Sequence, residues 1–192
     1  AVSVTLANQD ARMARGTGSQ GDSTRPNVLL VVMDTTRADH LSCYGYPRNI
    51  TPHLDRLAQE GVLFEQASAA ASWTLPSHAS LFTGLLPAQH GTGASHERLD
   101  DHLLTLAELL RDHGYQTVGW SNNRWLSHTT NFHQGFDLFE ELWFGGQAFK
   151  PPAIVRIAER IRGLPLRNRN AATTNRTIRQ WFRTLHDPRR PF

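Results

Sequence analysis

Asn27-Val-Leu-Leu-Val-Val-Met-Asp34 is the stretch that decides the fold of this chain, because its six central residues are all apolar. An apolar run of this length is typical of a strand that is buried on both faces, as in a parallel sheet. Residues 116–121 have the pattern of another strand, and an amphipathic helix is predicted before them at 103–113. Strands that alternate with helices predict an α/β fold with right-handed crossovers.

Local signals predict three further helices and one short strand. Thr51 and Pro52 suit the N-cap and the first helical position, and Gly61 suits the end of that helix. The next residues, 62–67, are predicted to form a short strand. Helices are also predicted at 151–162 and at 173–185.

The composition is that of a globular protein. The chain has 192 residues, of which 39% are hydrophobic and 19% are charged, and its formal net charge is +3. These values exclude a disordered chain, which would contain fewer apolar residues and more charge. Cys43 is the single cysteine, which excludes an intrachain disulfide and a cysteine zinc cage. The longest apolar run, 28–33, is too short to cross a bilayer.

The basic residues and the histidines do not form binding motifs of their own. Every basic residue except Lys150 is arginine, and these residues are scattered along the chain except within 156–190. Because a nucleic-acid surface needs basic residues clustered on one face, no nucleic-acid partner is expected. Most of the ten histidines are expected at the surface, with His90 in a structural role beside Gly91.

Residues 1–26 are rich in small and polar residues, and we predict a flexible leader there. They lack the positive start, continuous apolar centre and cleavage site of a signal peptide, and the cellular compartment is left open. The sequence ends at Pro191-Phe192, which has the character of the entrance to another strand. We therefore expect the chain to be a fragment of a longer protein.

Asp34 is the first candidate for chemistry, since it directly follows the first predicted strand. Ligands of open α/β sheets bind at the carboxyl ends of the strands. A carboxylate at that position is a natural ligand for a hard metal ion. The alternative is a loop carboxylate that caps the following turn.

Thr74 is the second candidate, because a helix is predicted to follow it with Pro76 in the first turn and Gly84 at the end. The free N–H groups and the positive dipole end of such a helix favour an anion. A hydroxyl group there can attack a phosphoryl or sulfuryl centre if a metal lowers its pKa. His78, one turn further along, could reach the same space. The alternative is that Thr74 is only the N-cap.

Seven short segments follow one another along the chain: Asp34-Thr-Thr-Arg-Ala-Asp-His-Leu41, Cys43-Tyr-Gly-Tyr46, Thr51-Pro-His-Leu-Asp-Arg-Leu-Ala-Gln-Glu-Gly61, Thr74-Leu-Pro-Ser-His78, Leu81-Phe-Thr-Gly-Leu-Leu-Pro-Ala-Gln-His-Gly91, Thr105-Leu-Ala-Glu-Leu-Leu-Arg-Asp-His-Gly-Tyr-Gln-Thr117 and Gly135-Phe-Asp137. In this order they resemble the N-terminal half of the sulfatase family, within the alkaline phosphatase superfamily. The resemblance implies that residues 27–192 are the N-terminal portion of a three-layer α/β/α sandwich. It also implies a metal centre and a covalent intermediate on the nucleophile.

The chain departs from the familiar sulfatases at the nucleophile. Those enzymes carry Cys or Ser, which is converted to formylglycine, followed by Pro and Arg; here Thr74 and His78 occupy the matching positions. Threonine is not a substrate for that conversion. Of the usual pair of acids only Asp34 is present, and Ser121-Asn122-Asn123 replaces a usual lysine. The Thr-x-Pro-x-His form resembles nucleotide pyrophosphatases and phosphodiesterases, which use a metal-bound Thr and usually two zinc ions.

These expectations combine into a metal-dependent hydrolase of sulfate or phosphate esters, with phosphate esters preferred. Asp34 and Thr74 would bind a divalent metal, zinc in the first instance, with calcium or manganese as alternatives. Thr74 would also be the nucleophile, and His78 would contact the transferred group or orient Thr74. The remaining metal ligands are expected beyond Phe192. The substrate would be a small-molecule, glycan or lipid ester.

Two alternatives stay open at this point. A phosphotransferase of the same superfamily would pass the group from Thr74 to an alcohol instead of water. A non-catalytic sulfatase fold would serve as a binding module, or the fragment would be unable to fold alone.

Overall fold

The computed structural model describes residues 25–143 and 171–192 in full and residues 2–7 by their backbone. The strands are β1 (Val2–Ala7), β2 (Val28–Met33), β3 (Val118–Ser121) and β4 (Leu138–Glu141). The helices are α1 (Pro52–Glu60), α2 (Thr74–Thr83), α3 (Pro87–His90), α4 (Leu106–Asp112) and α5 (Ala171–Thr184), with 3₁₀ turns at Ala38–His40 and Ser42–Tyr44. The helix predicted at 151–162 lies outside the described residues.

β2 forms as predicted, but its surroundings differ from the prediction in two ways. Within the described residues, Leu29 and Val31 remain 46% and 42% exposed, so that one face of this strand is only partly covered. β1 pairs with β2 in antiparallel fashion, with Val2 opposite Met33 and Ala7 opposite Val28. The first residues of the predicted leader are therefore a strand, because an alternating segment can satisfy the backbone groups at the edge of β2.

β3 and β4 form the parallel pair expected of an α/β fold. Val118 lies opposite Leu138 and Ser121 opposite Glu141. Gly135, just before β4, has a φ of 87° and approaches the first turn of α4 closely. A Cβ atom at this position would lie 2.4 Å from the Glu108 backbone nitrogen, so only glycine fits there.

β2 and β3 run in the same direction: the segments at their starts both bond to the last two residues of the described chain, and the residues after their ends bond to each other. At their start, the Val28 N–H donates to the Phe192 carbonyl oxygen (2.6 Å) and the Gln116 N–H donates to the Pro191 carbonyl oxygen (2.7 Å). At their end, the side chains of Asp34 and Asn123 are hydrogen-bonded. The carboxyl ends of both strands therefore lie at one edge, where a ligand site is expected.

The strand predicted at 62–67 is wrong. These residues form no helix or strand, and Val62 and Phe64 are 80% and 70% exposed. An apolar segment needs a partner edge to become a strand, and the described residues place none beside it.

The helix predictions at the remaining positions are confirmed to within a few residues. α1 has Thr51 as its N-cap, Pro52 as its first residue and Gly61 as its C-cap. α4 begins at a capping box between Thr105 and Glu108, whose side chains and backbone N–H groups bond reciprocally. None of the described helices is long and apolar enough to span a membrane.

α2 is the helix that the core surrounds most completely. Leu75 and Ala79 are fully buried and pack with Leu99, Leu103 and Phe132. The helix ends at Gly84, which adopts a left-handed conformation (φ 72°), as predicted. Because α2 is held by this packing, the position of its first residue, Thr74, is set by the core.

His90 is buried and structural, as predicted. Only 2% of the residue is exposed, its Nδ1 atom accepts the Thr92 N–H (3.0 Å), and its Nε2–H faces Ser80 Oγ (3.0 Å). Burial lowers the pKa of His90 below its ordinary value of 6.5, although a bond to the Pro76 carbonyl opposes this shift. His90 is therefore neutral in the folded protein near pH 7.

We predict that the protein loses stability as the pH falls below 6.5, in part through His90. A lowered pKa in the folded state means that the unfolded chain takes up protons more readily below that pH. The destabilising contribution of His90 therefore grows as the pH falls from 7 to 5. The measurement is the melting temperature between pH 5 and pH 8 for the parent, His90→Gln and the exposed control His102→Gln. If the melting temperature of His90→Gln depended on pH as steeply as that of the parent, the prediction would be wrong.

Candidate active site

The Asp34 carboxylate lies where three segments of the chain meet. Its Oδ2 atom accepts hydrogen bonds from Thr74 Oγ1 (2.7 Å) and from Asn123 Nδ2 (2.8 Å). Its Oδ1 atom accepts the backbone N–H of Thr35 (2.9 Å). Oδ1 therefore caps the turn after β2, as in the second alternative for Asp34, while Oδ2 faces Thr74 and the metal-ligand role stays a prediction.

The turn that carries Asp34 is strained at Thr35, whose φ is 61°. A β-branched residue rarely adopts this left-handed conformation, which costs about 1–2 kcal/mol. The conformation directs the Thr35 N–H onto the Asp34 carboxylate. Strain of this kind clusters at functional sites, where the surrounding structure maintains it.

Thr74 is the first residue of α2, and its hydroxyl group does not cap that helix. The N-cap is Trp73, which is extended (φ −140°, ψ 167°), and no side chain caps the helix. The alternative in which Thr74 is only an N-cap is therefore wrong, because Oγ1 donates to Asp34 instead. Backbone N–H groups in the first turn lack helical acceptors and form the positive end of the dipole. The Thr74 hydroxyl thus lies between a carboxylate and a region of positive potential.

His78 contacts the backbone of Thr74. Its Nδ1–H donates to the Thr74 carbonyl oxygen (2.8 Å), and 3% of the residue is exposed. Burial lowers the pKa of His78, against the opposing effects of the Thr74 carbonyl and the Asp34 charge. A neutral His78 with Nδ1 protonated carries a lone pair on Nε2. His78 thus contacts the Thr74 backbone, and its two predicted roles, contact with the transferred group or orientation of Thr74, stay predictions.

Asn123 is part of the site, although no sequence motif predicted a role for it there. It follows β3 as Asp34 follows β2, and its Nδ2 donates to Asp34 Oδ2. The available signal was its position at the carboxyl end of a predicted strand. In the sequence, Asn123 is recognisable only as part of the segment that replaces the lysine of familiar sulfatases.

Asp34 and Thr74 fit one side of a divalent-metal site. Their facing oxygen atoms are 2.7 Å apart, and carboxylate and hydroxyl oxygens are ligands of hard cations. Within residues 25–143 and 171–192, no group of three His, Cys, Asp or Glu residues could hold a metal ion. The described part of the chain therefore offers two candidate oxygen ligands and not a complete set.

Asp39, the next carboxylate along the chain, is engaged elsewhere. Its two oxygens accept hydrogen bonds from Arg37 Nε (2.9 Å) and Arg37 Nη2 (2.5 Å). These bonds, with a smaller contribution from His40, lower the pKa of Asp39 to about 2. All three side chains are exposed, and Arg37 and Asp39 form a surface ion pair.

The sequence matches the family model for Sulfatase over residues 26–188. The chain belongs to the sulfatase family. It therefore has the alkaline phosphatase-like α/β fold, of which the described residues form part of the N-terminal region. Sulfatases typically bind a divalent metal, usually calcium, and normally use formylglycine as the nucleophile.

Individual sulfatases are similar to this chain over most of its length. It is 38% identical over 146 residues to N-acetylgalactosamine-6-sulfatase of Canis lupus familiaris, which covers 69% of the chain and 27% of that protein. It is 36% identical over 119 residues to N-acetylgalactosamine-6-O-sulfatase of Bacteroides thetaiotaomicron, covering 59% and 22%. It is 38% identical over 130 residues to steryl-sulfatase of Mus musculus, covering 61% and 20%. The chain thus spans 20% to 27% of the length of these relatives.

These similarities confirm the resemblance to sulfatases. They do not support the more specific resemblance to nucleotide pyrophosphatases and phosphodiesterases. The likeness to nucleotide pyrophosphatases and phosphodiesterases rests on the Thr74-x-Pro-x-His78 motif alone. Zinc was inferred from the same motif, and it is likewise unsupported.

We predict that Thr35→Asn stabilises this sulfatase-family protein by about 1 kcal/mol, because asparagine tolerates the left-handed conformation better than threonine. The Thr35 side chain is exposed, and the backbone N–H that bonds Asp34 is retained. Urea unfolding of Thr35→Asn and of the neighbouring control Thr36→Asn measures the difference. Equal effects of the two substitutions would show that the Thr35 backbone stores no strain.

Proposed function

We propose that this protein is a metal-dependent hydrolase of sulfate or phosphate esters in which Thr74 is the nucleophile. The observation that supports it best is the 2.7 Å hydrogen bond from Thr74 Oγ1 to Asp34 Oδ2 at the carboxyl end of β2. Ligands of open α/β sheets bind at this end of the strands. The relatives named above are sulfatases, which supports ester hydrolysis as the reaction class.

Asp34 Oδ2 and Thr74 Oγ1 are the atoms of this chain that would hold the metal. A divalent metal, when bound, lowers the pKa of the hydroxyl group and neutralises charge on the ester oxygens. Thr74 Oγ1 attacks the sulfur or phosphorus atom while the bond to the leaving group breaks, and the proton lost from the Thr74 hydroxyl ends on the departing oxygen, which leaves as the alcohol. Water then cleaves the ester on Thr74 and restores its hydroxyl group.

The first turn of α2 supports this reaction. The N–H groups of Thr74 and Leu75 belong to that turn, and they favour negative charge on the transferred group. His78 holds the Thr74 carbonyl (2.8 Å) and thereby keeps the nucleophile in the first turn. A neutral His78 adds no positive charge that would repel a metal ion bound by Asp34 and Thr74.

The nature of the metal is a separate part of the proposal. Zinc is the metal implied by the resemblance of the Thr74-x-Pro-x-His78 motif to nucleotide pyrophosphatases and phosphodiesterases. Asp34 and Thr74 offer only oxygen atoms, which calcium and manganese accept as readily. Titration of the metal-stripped protein with each of the three cations distinguishes these cases.

We further propose that phosphate esters, and diesters in particular, are turned over better than sulfate esters. A formylglycine hydrate expels sulfate with its second hydroxyl group, and Thr74 has no such group. With a monoester substrate, a phosphorylated Thr74 also carries more negative charge than a sulfated one, so that a metal stabilises its hydrolysis more strongly. The one N–H of neutral His78 donates to the Thr74 carbonyl, so His78 does not replace the fork of donors that the familiar arginine offers to an oxyanion.

We predict that Thr74→Ala lowers kcat/KM at least about a thousandfold on whichever ester the whole protein hydrolyses, because the nucleophile is removed. Thr83→Ala, at the other end of α2, is the control and should remain close to the parent. Matched aryl phosphate and aryl sulfate esters give the substrate preference in the same assay. A ratio in favour of sulfate, with activity lost in Thr74→Ala, would overturn the substrate preference and leave the nucleophile in place.

We predict that the resting protein carries an unmodified threonine at position 74 and that rapid quenching during turnover leaves a phosphoryl or sulfuryl group on it. Peptide mass spectrometry of the whole protein measures both states. The Thr74→Ala variant should show no adduct. An aldehyde at position 74, or an adduct on another residue, would contradict the assignment of the nucleophile.

A further inference from the structure

We propose that Asn123 is a positioning residue that holds the Asp34 carboxylate in place for Thr74. This inference rests on the function proposed above, since it assigns a role around the same nucleophile. Its basis is the 2.8 Å hydrogen bond from Asn123 Nδ2 to Asp34 Oδ2, which links residues 89 positions apart in the sequence.

The orientation of the Asn123 amide is set by a second hydrogen bond. Its Oδ1 atom accepts the backbone N–H of Trp125 (3.0 Å), so that the NH₂ group must face Asp34. The opposite orientation would place a carbonyl oxygen against the carboxylate and would leave the Trp125 N–H without its acceptor. Asn123 is therefore a directed donor to Asp34.

The turn around Asn123 is held by its own hydrogen bonds. The Ser121 hydroxyl donates to the Asn123 carbonyl (2.9 Å) and accepts the Asn123 N–H (3.1 Å). The Leu126 N–H also donates to the Asn123 carbonyl (3.0 Å). This turn presents the side chain to Asp34 before any substrate arrives, as expected of a residue that orients a ligand.

Asn123 is useful because the other donor to Asp34 Oδ2 changes during the reaction. The Thr74 hydroxyl gives up its proton when its oxygen becomes a nucleophile or an ester. Asn123 Nδ2 on Oδ2 and the Thr35 N–H on Oδ1 keep their protons throughout. These two donors bind both oxygens of the carboxylate and so fix its plane while Thr74 reacts.

The same turn also contacts the segment that carries Thr74. The ring of Trp125 packs edge-to-face against Trp73, with centroids 5.6 Å apart. Trp73 immediately precedes Thr74 in the chain. The turn that presents Asn123 therefore contacts Asp34 through a hydrogen bond and the Thr74 segment through an aromatic pair.

The neighbouring asparagine provides a matched control. Asn122 is exposed, and its Nδ2 donates to Thr174 Oγ1 on α5 (2.9 Å), away from Asp34. The substitutions Asn122→Asp and Asn123→Asp are chemically identical. Only the second one replaces a donor to Asp34 by a carboxylate.

The test compares Asn123→Asp with Asn122→Asp in the whole protein. Aspartate at position 123 retains the acceptor for the Trp125 N–H, so that a residue which only closes the turn would tolerate the change. We expect kcat to fall about 10–100-fold with KM within about threefold, because orientation is lost while substrate contacts remain. Asn122→Asp should stay within about twofold of the parent.

A second measurement does not depend on activity. In the metal-stripped protein, the melting temperature of Asn123→Asp should be lower than that of the parent at pH 7, since two carboxylates then face each other. Asn123→Ala removes the donor without adding charge, and it should lower kcat in the same way if Asn123→Asp fails to fold.

The outcomes separate this inference from the function on which it rests. If the parent hydrolyses neither ester, or if Thr74→Ala retains full activity, the proposed function fails, and the melting temperatures alone decide whether Asn123 holds Asp34. If Asn123→Asp matches Asn122→Asp in kcat and in melting temperature at pH 7, Asn123 has no positioning role.

Discussion

The hydrogen bonds to the Asp34 carboxylate join three parts of the chain that are distant in sequence. They bring together the end of β2, the first residue of α2 and the turn after β3, represented by Asp34, Thr74 and Asn123. Hydrogen bonds to a charged group contribute about 1.5–3 kcal/mol each, so this junction has structural as well as chemical value. Moving any one of the three elements would break it.

The packing of α2 explains why the junction can be specific. Leu75 and Ala79 are fully buried in the core, and His78 is buried beside them. A helix held in this way has little freedom to shift, because interiors are close-packed. The hydroxyl of Thr74 therefore meets a carboxylate whose own position is maintained by the strained backbone of Thr35. Rigid placement of this kind is what a nucleophile requires.

Because the chain belongs to the sulfatase family, its differences from the familiar members at the proposed nucleophile can be interpreted chemically. The familiar members use formylglycine, whereas this chain has Thr74 in the matching position and His78 in place of arginine. The fold supplies the edge of the sheet and the end of the helix in either case. In the proposed mechanism, the side chain at position 74 decides whether the covalent intermediate can be released from a hydrate or must be cleaved by water.

The elements that the sequence predicted correctly depend on local physics. The apolar run of β2, the Thr51-Pro52 start of α1 and the Gly84 end of α2 are encoded by neighbouring residues. The strand expected at 62–67 failed because a strand needs a partner, and β1 was missed because its partner lies beyond residue 27.

The features of the candidate site also fall into those encoded locally and those that depend on tertiary contacts. The sequence determined that Asp34 follows a strand, that Thr74 begins a helix and that the family is that of the sulfatases. Only the tertiary structure decided that the Thr74 hydroxyl bonds Asp34 and that Asn123 bonds the same oxygen. These contacts join residues 40 and 89 positions apart, and local propensity does not encode them, because they arise when the packing of α2 and the alignment of β2 with β3 bring separate segments together.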